Sequence, residues 1–184
     1  MRTLFGIPGY SDPIVLYHPW YFCTLQITMD TYLRKGLEYT DLVAVDAVRP
    51  VRKRVQNRPE VVKISENTVG KIITSRSTEK MAADESIELL KTIVINRNKL
   101  LKQFNIMTVR TELVYLPMYV VPVDGFSDED WVVIDAYFDD TYTLSNRREL
   151  REILHSNAIN TKDDTLSSQH RNYAPKLNSS YEPI

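Results

Sequence analysis

Two aspartates occupy matching positions in two similar stretches of the sequence. Asp46 follows the run Leu-Val-Ala-Val at 42–45, and Asp135 follows Trp-Val-Val-Ile at 131–134. If the two stretches pack about a pseudo-twofold axis, the carboxyl groups face each other and the pKa of one rises, as general acid and base catalysis requires. An aspartate at a strand end also accepts hydrogen bonds from the backbone that follows it. A metal-dependent hydrolase and simple strand termination are both open.

A second group of carboxylates lies between residues 124 and 140. Oxygen-rich clusters suit calcium and magnesium, but the spacing here is not that of an EF-hand loop. The Asp-Gly pair at 124–125 is ordinary hairpin-turn chemistry, so we interpret the segment as a solvated turn and predict no metal site. Its members are Asp124, Asp128, Glu129, Asp130, Asp135, Asp139 and Asp140.

A basic run follows the first aspartate. Lysine and arginine side chains contact phosphates, and nearby aromatic rings can stack on bases. Nucleic-acid binding is therefore the first alternative function. The residues of the basic run are Arg49, Arg52, Lys53, Arg54 and Arg58, and the aromatic candidates are Tyr17, Trp20, Tyr21 and Phe22.

The remaining reactive side chains form no known catalytic pattern. His18, His155 and His170 are too far apart in sequence for a histidine metal motif. Cys23 lies on an apolar strand face, where a thiol is usually packing. No glycine-rich phosphate loop and no Gly-x-Ser-x-Gly motif is present. We expect a protein that is not an enzyme and that has no cofactor.

Large aromatic residues are more numerous than one small core readily hides. Such rings are favoured at protein interfaces, although a tyrosine-rich core is the alternative explanation. The leading hypothesis is a non-enzymatic protein-interaction, assembly or regulatory module, either binding a partner protein or forming a homo-oligomer through strand edges. The predicted interaction surface consists of Tyr17, Trp20, Tyr115, Tyr119, Trp131 and Tyr137.

The elements that carry these residues form a duplicated pattern. Leu-Tyr-His-Pro-Trp-Tyr at 16–21 resembles Val-Tyr-Leu-Pro-Met-Tyr at 114–119, and each is followed by one of the two runs that end in Asp-Ala. Residues 21–29 alternate between apolar and polar side chains, which predicts a half-buried strand, and a second strand is expected at 41–48. We infer two related antiparallel β units, an internal duplication, in an α+β fold.

Helical periodicity covers residues 84–104, with Thr78 or Asp84 as the N-cap. A hairpin is expected at 61–65 and 71–75, and a short helix with an Asn146/Glu149 capping box at 146–155. Pro117 and Pro122 favour an edge or bulged strand. The predicted organisation is a first β unit with an N-terminal arm at 1–77, packed as one globular domain with a helix and second β unit at 78–155. Residues 156–184 are expected to be a flexible tail.

Length and composition fit an ordinary globular protein. The chain has 184 residues, 43% hydrophobic and 26% charged. Its 23 basic and 24 acidic side chains give a net charge of -1, which provides no overall attraction to nucleic acid or membrane. A single cysteine excludes an internal disulfide, and no signal or membrane-spanning segment is evident. We expect a cytoplasmic protein without membrane partners.

The two Asp-Ala runs, Leu-Val-Ala-Val-Asp-Ala-Val at 42–48 and Trp-Val-Val-Ile-Asp-Ala at 131–136, resemble the closing strand of PepSY-type repeats. The helix-then-strands order of residues 84–136 is similar to that family. The Thr-Gly turn of the family is replaced here by Arg49-Pro50 after the first run and by Tyr-Phe-Asp at 137–139 after the second. The resemblance implies a non-catalytic regulatory or binding module and supplies no catalytic residue.

Overall fold

The computed structural model describes residues 12–63, 70–98, 101–123, 127, 130–155 and 173–175. These residues form a seven-stranded sheet, a two-stranded sheet and two α-helices, which confirms the α+β class. The strands are β1 Ile14–Thr31, β2 Leu37–Asp46, β3 Arg52–Val55, β4 Val61–Lys63, β5 Lys71–Ile72, β6 Leu101–Val121, β7 Val132–Asp135, β8 Asp140–Thr143 and β9 Tyr173–Pro175; the helices are α1 Glu79–Arg97 and α2 Arg148–His155.

The large sheet is organised around two long strands. Its order is β3-β2-β1-β6-β7-β8, and β5 pairs with β1 outside that path. The β1–β2, β2–β3, β6–β7 and β7–β8 ladders are antiparallel, whereas β5 is parallel to β1. β1 has 18 residues and β6 has 21, against about 5 to 6 for an ordinary strand. Each long strand can therefore hold different neighbours at its two ends.

The chain groups into two compact units, and both long strands contribute to each. Unit 1 contains residues 1–18, 61–73 and 115–184, and unit 2 contains residues 19–60 and 74–114. Each unit thus takes segments from both halves of the chain, whereas the division expected from the sequence separated residues 1–77 from residues 78–155.

Unit 2 encloses an apolar core between its strands and α1. The predicted alternation of β1 is confirmed, because Cys23, Leu25 and Ile27 are fully buried while Thr28 is exposed. Val43 and Val45 of β2 and Leu90 of α1 belong to the same core. Each such aliphatic side chain contributes about 1.5 to 3 kcal/mol when it leaves water.

Helix α1 begins after Thr78, one of the two predicted caps, and ends earlier than its periodicity predicts. Thr78 is the N-cap, and its Oγ1 accepts the Met81 N–H at 3.3 Å. Asn98 ends the helix, because its backbone N–H and its Nδ2 both donate to the Val94 carbonyl. The prediction of helix up to residue 104 is therefore wrong, and Leu101 and Phe104 lie in β6. Their apolar side chains still pack on the unit 2 core, which explains the misleading periodicity.

Strand β6 has a neighbouring strand on both sides only near its C-terminal end. Its ladder with β7 covers Met118–Val121, between the two prolines, so the edge position that the prolines favour holds at Pro117 but not over these four residues. Pro117 lies one residue before this ladder, where its missing N–H breaks no β6–β7 hydrogen bond. Along residues 101–117, no described strand lies on the side of β6 away from β1.

Three other local predictions have mixed outcomes. The hairpin at 61–65 and 71–75 is wrong, because β4 pairs with β9 and β5 pairs with β1. The short helix is confirmed as α2, preceded by a 3-10 turn at Leu144–Asn146; the Glu149 side chain bonds the Arg147 guanidinium, and the Asn146 side chain donates to Thr143 Oγ1. Of the predicted tail, residues 156–184, the structure describes only the β9 segment.

Candidate functional site

The two matching aspartates are buried and hold the turns that follow them. Asp46 Oδ1 accepts the backbone N–H groups of Val48 at 2.9 Å and Arg49 at 3.1 Å. Asp135 Oδ1 accepts those of Tyr137 at 3.2 Å and Phe138 at 3.1 Å. The same two backbone positions are bonded in both turns. Strand termination, the alternative to paired-carboxylate catalysis, is confirmed for both residues.

Asp46 also neutralises part of the basic run. Its Oδ2 accepts the Arg49 Nε at 3.1 Å, with the carboxylate fully buried. Both of its oxygens are thus engaged by groups of its own turn. A carboxylate with this set of donors stabilises its own turn, and a proton-transfer role would require breaking these bonds.

The rest of the basic run is largely engaged as well. Arg54 donates its Nε to Asp41, with an Nε to Oδ2 distance of 2.7 Å, and this bond raises the pKa of Arg54. Arg58 bonds Glu112 and the Thr24 hydroxyl. Arg52 donates to the Glu85 carbonyl at 3.3 Å. The run therefore serves mainly to tie β3 and its following loop to the rest of unit 2.

An open groove lies beside this network. It has a volume of about 740 Å³ and is lined by Thr24, residues 40–42 and residues 54–58. β3 ends at Val55 while β2 continues back to Leu37, so the groove occupies the notch left at the edge of β2. Its walls are polar, and the two guanidinium groups in it are those already paired with carboxylates.

The predicted aromatic surface is only partly at the surface. Trp20 is 2% exposed and Tyr115 is 8% exposed, so both rings are core residues. Tyr17, Tyr119, Trp131 and Tyr137 are half-buried. Burial raises the pKa of Tyr17, Tyr119 and Tyr137, and the proximity of Tyr17 raises that of Tyr119 further.

Gly70 allows the Tyr17 ring its position in unit 1. The glycine has a φ of +146°, and a Cβ built on it would lie 2.7 Å from a Tyr17 ring carbon and 3.1 Å from the Val15 carbonyl oxygen. Any larger residue would displace the ring and strain the backbone. The Tyr17 hydroxyl is therefore held in a fixed place near Tyr119.

The largest exposed apolar side chains of the described chain are elsewhere, mostly in unit 2. Tyr32 and Leu33 lie in the turn between β1 and β2, and Met107 and Val109 lie on β6. A groove of about 440 Å³ runs between the first turns of α1 and residues 108–111 of β6. The sequence carries a signal for these positions, since Tyr-Leu in a turn and Met-x-Val among polar residues are unusual, whereas the number of aromatic residues does not indicate which of them are exposed.

Charge is unevenly divided between the units. Unit 2 contains 14 Lys and Arg against 10 Asp and Glu, a net charge of +4. Unit 1 contains 9 against 14, a net charge of -5. The net charge of -1 for the whole chain hides this difference, because each unit is assembled from segments that are far apart in the sequence.

The remaining candidate ligands are dispersed. Cys23 is buried, and burial raises the pKa of its thiol despite hydrogen bonds with Ser86 and Thr111. His18 is buried, His155 ends α2 and His170 lies outside the described residues. Within the described ranges, no three His, Cys, Asp or Glu side chains form a group able to hold a metal. Of the acidic segment, Asp124, Asp128 and Glu129 are outside those ranges.

Comparisons with known proteins return no relative. No protein-family model matches the sequence, and no curated protein or solved structure matches it. The resemblance to PepSY-type repeats stays a prediction from the sequence. In the described part of the chain, no helix is both long and apolar enough to cross a membrane.

Proposed function

We propose that the chain is a non-enzymatic protein-interaction module that binds an extended segment of a partner protein along the free edge of β6. The observation that carries this proposal is the edge itself, residues 101–117, which faces no described strand on the side away from β1. A strand edge presents N–H and C=O groups at regular intervals, and an extended peptide can pair with them as an added strand.

The side chains along this edge favour an apolar partner segment. Met107 is 51% exposed and Val109 is 58% exposed, and Met81 at the start of α1 is 51% exposed. The groove between α1 and residues 108–111 adjoins them and offers a pocket for alternate side chains of an added strand. Main-chain pairing would supply affinity, and this pocket would supply specificity.

One polar atom at the edge also lacks a bond within the described chain. Thr108 Oγ1 is buried and has no hydrogen-bond partner among the described residues. A buried hydroxyl without a partner costs about 1 to 3 kcal/mol, which an incoming backbone group can recover. The charged Lys102 and Arg110 flank the apolar residues and limit uncontrolled edge-to-edge aggregation.

The test uses a phage-displayed random peptide library selected on the wild-type protein. We expect peptides with alternating apolar residues whose binding is lost in a Met107→Lys, Val109→Lys variant and kept in an Ile95→Lys variant, where an equally exposed side chain changes on α1. Hydrogen exchange with the selected peptide should protect amides within 101–117. Selection of no peptide, or equal binding to the two variants, would refute the proposal.

Nucleic-acid binding by unit 2 is the second candidate. The net charge of +4 favours it, because phosphate binding depends on local positive charge. The ion pairs of Arg49, Arg54 and Arg58 weigh against it, since a phosphate would have to displace Asp46, Asp41 or Glu112.

A further inference from the structure

The turn between β1 and β2 presents two apolar side chains followed by two basic ones. We name residues 32–35, Tyr-Leu-Arg-Lys, the basic tip. Tyr32 is 75% exposed and Leu33 is 79% exposed, the two highest values among the exposed large hydrophobic residues described. Arg34 and Lys35 are also exposed. Exposed apolar residues in a turn, next to charges of one sign, indicate a contact surface.

The basic tip is held in one conformation. The Thr31 N–H donates to the Arg34 carbonyl at 2.7 Å, and the Arg34 N–H donates back to Thr31 Oγ1 at 2.9 Å. Gly36, with a φ of +64°, donates its N–H to Asp30 Oδ1 at 2.7 Å. The Gln103 side chain donates to the other Asp30 oxygen at 2.8 Å. A preorganised loop loses little entropy on docking.

Unit 1 contains a turn with the complementary pattern. We name residues 137–140, Tyr-Phe-Asp-Asp, the acidic turn, which connects β7 to β8. Tyr137 and Phe138 are half-buried and pack edge to face with ring centroids 4.8 Å apart. Asp139 and Asp140 are exposed, and Asp139 has a φ of +53°. The Asp135 carboxylate fixes the start of this turn through the Tyr137 and Phe138 N–H groups.

We propose that copies of this chain associate head to tail, with the basic tip of one copy on the acidic turn of the next. Each segment has an aromatic residue, a large apolar residue and two charges in the same order, and the charges are opposite. A pair formed in this way still has one unused tip, on one copy, and one unused turn, on the other, so the contact is heterologous and assembly continues beyond a dimer.

This association is separate from peptide binding at β6. The contact is small, so it should be weak, concentration-dependent and sensitive to salt. Sedimentation velocity of the wild-type chain across a concentration series at low and physiological salt should show growth beyond the monomer, greater at low salt.

Charge exchange between two variants provides the decisive test. Arg34→Glu with Lys35→Glu, and Asp139→Lys with Asp140→Lys, should each remain monomeric, while an equimolar mixture should associate like the wild type. Far-UV circular dichroism and the melting temperature confirm that each variant folds. Lys80→Glu with Arg97→Glu, a matched reversal of exposed residues on α1, should leave association unchanged.

Three outcomes would overturn the proposal: a wild-type chain that stays monomeric at low salt, single-sided variants that associate normally, or a mixture that fails to restore association. Binding of a monomeric wild type to phosphatidylserine vesicles, lost on tip reversal, would also overturn it and assign the tip to lipid. Failure of the β6 proposal is recognised separately, because Met107→Lys with Val109→Lys should leave head-to-tail association intact.

Discussion

Asp46 stands directly opposite Trp20 in the β1–β2 ladder, one residue beyond Pro19. Asp135 stands in the same way opposite Met118, one residue beyond Pro117. Each proline therefore lies just outside its ladder, and each aspartate closes that ladder with its side chain turned to the following backbone. The Tyr-x-Pro pattern and the Asp-Ala pattern therefore lie on neighbouring strands and together mark the end of the same ladder. This structural role explains both sequence patterns, and neither requires a catalytic function.

Replacing Asp46 by alanine should destabilise the protein by about 2 to 4 kcal/mol, because two backbone N–H groups and the Arg49 guanidinium lose a buried acceptor. Asp135→Ala should cost about 1 to 3 kcal/mol, because the backbone N–H groups of Tyr137 and Phe138 lose a buried acceptor. Urea unfolding followed by circular dichroism measures both.

Asp84→Ala is the control for these two variants, because Asp84 is an exposed carboxylate on α1 and its loss should change stability by less than about 0.5 kcal/mol. Equal unfolding free energies for wild type, Asp46→Ala and Asp135→Ala would show that the turns do not depend on the carboxylates.

The stability of the β1–β2 turn should depend on acid pH through Asp30. Hydrogen bonds from the Gly36 N–H and the Gln103 side chain hold the pKa of Asp30 below its usual value of 3.8. Because the pKa is lower in the folded state, the stabilisation is present above the unfolded value and is lost as pH falls through the folded value. The difference in unfolding free energy between wild type and Asp30→Asn should therefore be greatest near neutral pH and shrink in strong acid.

Unfolding series at constant ionic strength from about pH 2.5 to about pH 7 measure this difference. Gln103→Ala should raise the pKa of Asp30 without abolishing its titration, which NMR of the carboxyl carbon can follow. A constant gap between wild type and Asp30→Asn at every pH would contradict the assignment.

Local patterns in the sequence predict what depends on local chemistry. The alternation of β1 predicts its buried face because one side of a strand must pack on α1, and Thr78 is recognisable as a cap because its hydroxyl can reach the first turn. The ends of β2 at Asp46 and of β7 at Asp135 also depend on local chemistry, because each side chain bonds the backbone that follows it. The α+β class follows from these elements together.

Features that depend on long-range pairing are missed. Residues 101 and 104 continue a helical stripe, but Asn98 ends the helix and the same apolar side chains reach the core from β6. β5 has only two residues and pairs parallel with β1, which no turn signal at 61–75 indicates. The separation of charge between the units is invisible in the sequence order, since each unit is assembled from distant segments.

Cys23 should be nearly inert in the native protein. Its thiol is fully buried, and burial raises its pKa, so both access and thiolate fraction are low. Reaction with Ellman's reagent at mildly alkaline pH should be slower by about 10³-fold or more than in the urea-unfolded chain, because labelling requires opening of unit 2. A Cys23→Ser chain carrying Thr28→Cys, an exposed position on the same strand, should react at once; equal rates for the two native proteins would contradict the burial.

Oligonucleotide binding provides the last prediction, and it depends on the ion pairs around the basic run. Because Asp41 and Glu112 engage Arg54 and Arg58, fluorescence anisotropy should show little binding of single- or double-stranded oligonucleotides by the wild type at physiological salt. Asp41→Asn with Glu112→Gln should release both guanidinium groups and increase binding at low salt. Asp84→Asn with Glu88→Gln should increase it less, because Arg54 and Arg58 pair with Asp41 and Glu112 and not with these exposed carboxylates of α1. Tight wild-type binding that weakens steeply with salt and is abolished by Arg52→Glu with Lys53→Glu would instead place nucleic-acid recognition ahead of protein interaction.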